Sequence, residues 1–314
     1  MRAARIHDWG GVPVIEEIDE PVRASGETLV RIEAATVSHL DLTIASGLFT
    51  VNPPLPYVPG VEGSGTVVES AVFEPGTQII FREGCLGFTQ DGTWRECASV
   101  PDELLVPLTT TLDPAIASTF FVPLTTAYVA LFDIGRLRAG QSVIVTGASG
   151  AIGTLAVQLA QAAGAEVVAV VSRASRLDLL PPGVRGIALD DENAVLELAA
   201  ARPADLLVDT VGGKGLGDRL KWVRSGGRAA CLGYTAGTAL TIDLPSWLFS
   251  NVAVLPVNLL NREDRAHAIA EELLPRIAAG ELSIPVEEFA LDEIAEGITR
   301  LASGAIKGRA VVRF

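Results

Sequence analysis

Three glycines at a spacing of three, Gly147, Gly150 and Gly153, lie between a short β-branched run at 142–145 and a segment whose apolar residues recur at helical spacing, Ile152, Leu155, Ala156, Leu159 and Ala163. A second β-rich run, 166–171, follows Gly164. Strand, glycine turn, helix and strand in this order form the βαβ layout of a dinucleotide site. A diphosphate can approach the first helical turn only where no Cβ blocks the backbone and the orphan N–H groups point at it, and the helix dipole adds attraction for the anion. The phosphate-facing residues are then Gly147, Ser149, Gly150, Ala151, Ile152 and Gly153. Glycine triplets also occur in purely structural turns; here the flanking strand and helix favour the nucleotide.

The chain has 314 residues, too many for the βαβ units alone, and the length suggests about two domains. Hydrophobic residues make up 49%, enough for a large core, and this argues against disorder. Thirty-eight acidic against 24 basic residues give a net charge of −14, which would repel phosphodiester backbones and anionic lipid surfaces. Nucleic acid and membrane are therefore not expected as partners. Cys85, Cys97 and Cys231 are far apart and lack zinc or disulfide spacing, which fits a reducing cytoplasm. With only Arg82 and Arg95 nearby, Cys85 and Cys97 read as inert thiols. The opening MRAARIHDWG has no apolar core for a signal peptide, and proline or glycine interrupts both long uncharged runs.

Up to about residue 107 the pattern is one of short strands, 12–18, 28–37, 63–70, 77–81 and 94–100, punctuated by NPPLPYVPG, EPG and DG turns. One helix is expected there, 38–46, with Asp41 in its first turn. Asp113 and Pro114 mark a helix start. Strands and helices then alternate: strand 204–209, helix 215–223, strand 227–232, helix 245–250 and strand 252–257. That alternation predicts an α/β domain with a doubly wound parallel sheet. Helices at 262–279 and 291–302 bracket a strand at 286–290, and 309–314 is a closing strand. The C-terminal part is assigned to the β-rich domain, giving residues 1–113 with 261–314 for one domain and 114–260 for the other.

Several segments in this order, SHLDLTIASGLF (38–49), PGVEGSGTVVE (59–69), DGTWRECASVP (91–101), VPLTTAYVAL (122–131), the glycine motif and DLLVDTVGG (205–213), make the chain resemble the medium-chain dehydrogenase/reductase superfamily, and within it the zinc-free quinone oxidoreductases. The resemblance implies a GroES-like, barrel-like catalytic domain, a Rossmann domain and a substrate bound between them. Short-chain dehydrogenases share the TGxxxGxG motif, but they begin with it and carry Tyr-x-x-x-Lys. Here none of Tyr57, Tyr128 and Tyr234 is followed by such a lysine. Where zinc-dependent relatives place three metal ligands, the matching residues are Ser38, Val61 and Val122, so no metal is expected.

At the end of the second strand, where NAD sites carry an acidic residue, stand Ser172, Arg173 and Arg176. Arginines and a hydroxyl suit a 2′-phosphate, each charge-assisted bond contributing roughly 1.5–3 kcal/mol, so the cofactor expected is NADPH; the bland alternative is a solvated helix start. The resemblance adds Thr126, Tyr128, Gly233, Tyr234 and Asn258 as cofactor contacts, with Tyr128 equally suited to the core. Without zinc to polarise a simple ketone, the expected substrate is a small-molecule electrophile, a quinone or a conjugated enone. Ser38 and His39 are the candidate donors to the acceptor oxygen, and Asp41 reads as structural. The family often has a tyrosine near Phe49, so one donor is missing. Reduction of an enoyl thioester, or non-catalytic NADPH binding in a redox sensor, are the alternatives. The apolar run 251–260 is an edge-strand candidate for a homodimer.

Overall fold

The computed structural model describes residues 1–49, 52–81, 84–259 and 262–314, with backbone only at 263, 264 and 266. Arg82 and the expected boundary at 260/261, with the last residue of the 251–260 run, lie outside them. The chain divides into two compact units, Met1–Val122 with His267–Phe314, and Pro123–Ala266.

In the first unit β1 (Arg2–Arg5) and β2 (Val14–Glu17) form an antiparallel pair. The eleven-residue β3 (Glu27–Val37) leads into α1 (His39–Ala45), followed by β4 (Gly63–Glu69), β5 (Gln78–Phe81), β6 (Cys97–Pro101) and β7 (Leu105–Pro107). Strand β3 pairs along its first half with β6, and its pairing with β4 shifts register twice, between Leu29 and Val30 and between Ile32 and Ala34. Such irregularities bend a sheet and increase its twist, which suits a barrel-like wall. Behind it Trp94 is fully buried and donates Nε1–H to the Thr36 carbonyl at 2.8 Å.

The expected helix start at Asp113 forms α2 (Pro114–Ala117), with Asp113 accepting from the N–H groups of Ala115 and Ile116. It belongs to the first unit, whereas the sequence pattern placed residue 114 at the start of the second domain. Ala115 packs with Ala34 and Val311, and Ser64 donates to the Pro114 carbonyl. Helix α3 (Phe121–Tyr128) runs on into a π-helical turn at Val129–Ile134.

The second unit is built on β8 (Ser142–Thr146), α4 (Ala151–Ala162), β9 (Glu166–Val171), β10 (Arg185–Ala188), α5 (Glu192–Ala201), β11 (Ala204–Asp209), α6 (Leu216–Arg219), β12 (Val223–Cys231), α7 (Leu244–Ser250) and β13 (Ala253–Pro256). All six strands are parallel, in the order β10-β9-β8-β11-β12-β13. This is the doubly wound order, which reverses between β8 and β11 and places a ligand crevice at the carboxyl ends there. The central strands are near-continuous apolar runs because both faces are covered. Besides β1 and β7 in the first unit, two described elements of this unit escaped the sequence pattern: β10 leaves Arg185 and Gly186 exposed, and α5 fully buries only Leu198. The helix expected at 215–223 is shorter, since Val223 already belongs to β12.

After α8 (Glu263–Ala278) the chain returns to the first unit as β14 (Val286–Ala290), α9 (Ile294–Ala302) and β15 (Arg309–Arg313). Strand β15 pairs antiparallel with the second half of β3 and parallel with β14, completing a seven-stranded sheet. Among the described residues no helix is long and apolar enough to cross a membrane. Replacing Trp94 by Phe removes the bond to the Thr36 carbonyl and part of a close-packed volume. It is expected to lower stability by about 2–4 kcal/mol, read as a fall in calorimetric melting temperature.

Candidate cofactor-binding site

Strand β8 ends at Thr146, and Gly147 turns the chain with a φ of +58°, a left-handed conformation open to glycine. A Cβ on Gly147 would overlap Thr210 Oγ1, and one on Gly153 would overlap the Gly147 carbonyl oxygen. The turn closes through Gly150 N–H to Gly147 O at 2.9 Å, and Thr154 Oγ1 donates back to Ala148 O at 3.2 Å. Gly150 caps α4 with no side-chain hydrogen bond. The first-turn N–H groups of Ala151, Ile152 and Gly153 therefore have no capping side chain competing for them, and the dipole of a twelve-residue helix reinforces their attraction for an anion. The residues fit a dinucleotide diphosphate: Gly147 and Gly153 are packed too closely for a Cβ, so the chain turns tightly onto the bare first turn of α4.

Beyond β9, Arg173 caps a 3-10 turn at Ala174–Leu179, and Arg176 in that turn donates Nη1–H to Ser149 Oγ at 3.1 Å. The SRASR segment and the glycine turn thus meet. Burial, and next the charge of Arg173, hold Arg176 below the usual guanidinium pKa, so these two cations stand where an added anion would relieve their repulsion. Ser172 and Arg173 are exposed. The nearby carboxylate, Asp190, accepts from Ala174 N–H at 3.0 and 3.2 Å and fixes the start of the turn.

The other expected contacts fall in two places. Gly233 and Tyr234 follow β12, where a Cβ on Gly233 would overlap the Thr210 carbonyl and Tyr234 is exposed. Asn258, beyond β13, is exposed as well. On α3, Thr126 is buried, and the half-buried Tyr128 packs edge-on against Phe132 at 4.8 Å, with the Arg265 guanidinium 5.1 Å from its ring centre. Arg265 is held there by Asp133 at 3.0 and 3.2 Å.

In the first unit, Ser38 caps α1. Its hydroxyl donates to Asp41 Oδ2 at 2.6 Å and accepts from Asp41 N–H at 3.3 Å, while the Ser38 N–H donates to Asp41 Oδ2 at 2.7 Å. Asp41 Oδ1 takes the Val61 N–H at 3.0 Å. Next to it Glu62 takes the Val122 N–H at 2.7 Å and pairs with the buried Arg309, which also donates to Thr36 Oγ1 at 3.3 Å. Burial raises the pKa of both Asp41 and Glu62, against the hydrogen bonds that favour their ionised forms. The positions matching zinc ligands in related enzymes are thus Ser38, its hydroxyl committed to Asp41, and two valines without a lone pair; this donor set does not fit a catalytic zinc. Among the described residues no group of three or more His, Cys, Asp and Glu side chains could hold a metal ion. Burial pushes the thiols of Cys85 and Cys97 up, and that of Cys231 up to about 12 with help from Asp209, which disfavours the thiolate form.

Residues 24–110 match the alcohol dehydrogenase GroES-like domain, and residues 151–274 match the zinc-binding dehydrogenase family. The rat quinone oxidoreductase is 30% identical over 246 residues, 74% of this chain and 73% of its own length. The chain belongs to the medium-chain dehydrogenase/reductase superfamily. It is quinone oxidoreductase-like, and an oxidoreductase. Among solved structures of this superfamily, the quinone oxidoreductase from Thermus thermophilus, described with its NADPH complex, has 30% identity and a TM-score of 0.84, with all of both chains covered. An NAD-dependent alcohol dehydrogenase has the same fold, with a TM-score of 0.89 and 24% identity over the whole of both chains.

Sequence reasoning missed Asp209, Arg219, Glu62 and Arg309, whose pairings cross long stretches or a turn. His39, at the first position of α1, is exposed on one side. Burial of its inner face, and then the charge of Arg309, lower its pKa from the ordinary imidazole value. The unfolded chain therefore binds the proton more readily, so His39 costs the fold stability as pH falls through about 6.5, its unperturbed value, toward the lower folded one. His39→Gln is expected to flatten that part of the melting-temperature-against-pH curve while leaving the curve above pH 7 unchanged.

Proposed function

We propose that this oxidoreductase uses NADPH, without zinc, to reduce a quinone or an α,β-unsaturated carbonyl compound. The observation that carries the reading is the bond between Arg176 and Ser149, which joins the arginine-bearing segment after β9, where an NAD site would put a carboxylate, to the glycine turn. Ser172, Arg173 and Arg176 then hold a 2′-phosphate, while the first turn of α4 holds the diphosphate. Thr126, Tyr128, Gly233, Tyr234 and Asn258 are the further cofactor contacts in this reading.

A reduced nicotinamide bound there supplies a hydride. With valines at two of the three ligand positions the chain has no Lewis acid of its own to polarise a simple ketone, and this favours an acceptor already activated by conjugation. Charge developing on the acceptor oxygen needs a donor. In the reading proposed here His39, neutral near pH 7, supplies an N–H, while Ser38 and Asp41 lock the start of the helix that carries it. The three free cysteines suit a reducing cytoplasm.

The purified protein should consume NADPH in the presence of simple quinones and enones. Arg176→Met should raise the KM for NADPH about tenfold or more while leaving that for NADH nearly unchanged. Absence of turnover across the panel despite tight NADPH binding would favour a non-catalytic sensor, and turnover with enoyl thioesters alone would move the substrate to that class.

The proposed assembly is a homodimer. Strand β13 is the edge of the parallel sheet, and α7, just before it, exposes Leu244, Leu248 and Phe249, the last 90% accessible. An unpaired edge beside three exposed large apolar side chains is the usual make-up of an isologous contact. Phe249→Asp should shift the protein from dimer to monomer in sedimentation equilibrium.

A further inference from the structure

At the carboxyl end of β11, the fully buried Asp209 receives far more hydrogen bonds than a strand needs. Its Oδ1 accepts from Val211 N–H at 3.2 Å and from Gly212 N–H at 2.6 Å. Arg219, on α6, donates Nε–H to Oδ2 at 2.5 Å and Nη2–H to Oδ1 at 3.2 Å, and the same Nη2 reaches the Gly212 carbonyl at 2.7 Å. One buried ion pair therefore holds both the N–H and the C=O of Gly212. That residue has a φ of +68°, and Gly213 follows at +70°.

The turn so fixed lies between the two segments already assigned to the cofactor. On one side Thr210 Oγ1 donates to the Thr146 carbonyl at 2.8 Å, and Thr210 N–H donates to Thr146 Oγ1 at 3.1 Å. Gly147 packs on Thr210 Oγ1 so closely that it can carry no Cβ. On the other side a Cβ on Gly212 would overlap the Gly233 carbonyl, and one on Gly233 the Thr210 carbonyl. A shift of the 210–213 turn therefore moves both the glycine turn after β8 and the Gly233-Tyr234 segment.

We propose that Asp209, Arg219 and Thr210 are positioning residues for the nicotinamide dinucleotide, setting the spacing between the phosphate-binding turn and the Gly233-Tyr234 segment. This rests on the cofactor reading given above. A buried charge pair suits the task because its geometry is fixed: the planar fork of Arg219 matches the carboxylate and the Gly212 carbonyl together, which a lysine cannot do. If the pair served stability alone, its loss would lower the melting temperature and leave the affinity of the folded protein for cofactor unchanged.

Asp209→Asn leaves the buried Arg219 charge uncompensated and is prone to unfold, so the deciding variants are Thr210→Val, which keeps shape and loses the hydroxyl, and Arg219→Lys, which keeps charge and loses the fork. NADPH fluorescence titration of each folded variant should give a Kd raised about fivefold or more, the size of one buried hydrogen bond. Thr210→Ser should restore the wild-type value. Variants that melt lower yet bind NADPH like the wild type would overturn the proposal, as would a Ser variant as weak as the Val one. If the wild-type protein itself binds no nicotinamide dinucleotide, the cofactor reading falls and this proposal with it; wild-type binding with unchanged variants rejects the positioning role alone.

Discussion

Close approach of glycine backbone to its neighbours, at the carboxyl ends of β8, β11 and β12, is the constraint on which the second unit depends. Gly147, Gly153, Gly212 and Gly233 each occupy a place where a Cβ would overlap a neighbouring oxygen. With side chains there, the three strand ends would have to separate and the N–H groups at the start of α4 would no longer sit at the mouth of the turn. The cost is glycine's conformational entropy at four positions. It is offset by hydrogen bonds that tie the ends of β8 and β11 together, through Thr146 with Thr210, and that fix the turn after β11, through Asp209 with Gly212. A phosphate site made of backbone needs such bracing, because the glycines that form the turn carry no side chains of their own to hold its shape.

The first unit solves a different problem with buried charge. Asp41 and Glu62 are both out of contact with water, and each is compensated by N–H donors, with Arg309 completing Glu62. Isolated, either carboxylate would take up a proton or disrupt its surroundings. Together the two groups fasten α1 to the start of β4, and the start of β4 to the start of α3 and to β15. The groups that organise this neighbourhood are the protein's own carboxylates and arginine.

The sequence made local order legible and left distant pairing hidden. The glycine spacing, the apolar period of α4 and the β-branched runs at β8 and β9 predicted the central βαβ unit because each signal is confined to a few neighbouring residues. Ser38 followed three residues later by Asp41 is a capping-box pattern, and the serine that drew attention as a donor to substrate turned out to be engaged by that aspartate. Strand β10 and helix α5 stayed hidden for a physical reason: lying toward the edge of the sheet, they bury too little apolar surface to impose a period. The Glu62–Arg309 pair joins residues 247 positions apart, beyond the reach of any spacing argument.

The Asp209–Arg219 pair is the instructive intermediate case. The residues are ten positions apart, separated by the Thr210–Gly213 turn and the start of α6, so neither strand nor helix periodicity links them. Gly212 and Gly213 both adopt positive φ, which makes the turn, but a turn of this kind can be held in many ways. What distinguishes this one is that Arg219 binds the carboxylate and the turn carbonyl at once, which requires α6 to begin where it does. The length of the 210–215 connection is therefore under the same constraint as the side chains. A one-residue insertion there would keep every motif readable in the sequence and still separate the arginine from the turn, so a dinucleotide site of this kind is specified as much by the spacing after β11 as by the glycines after β8.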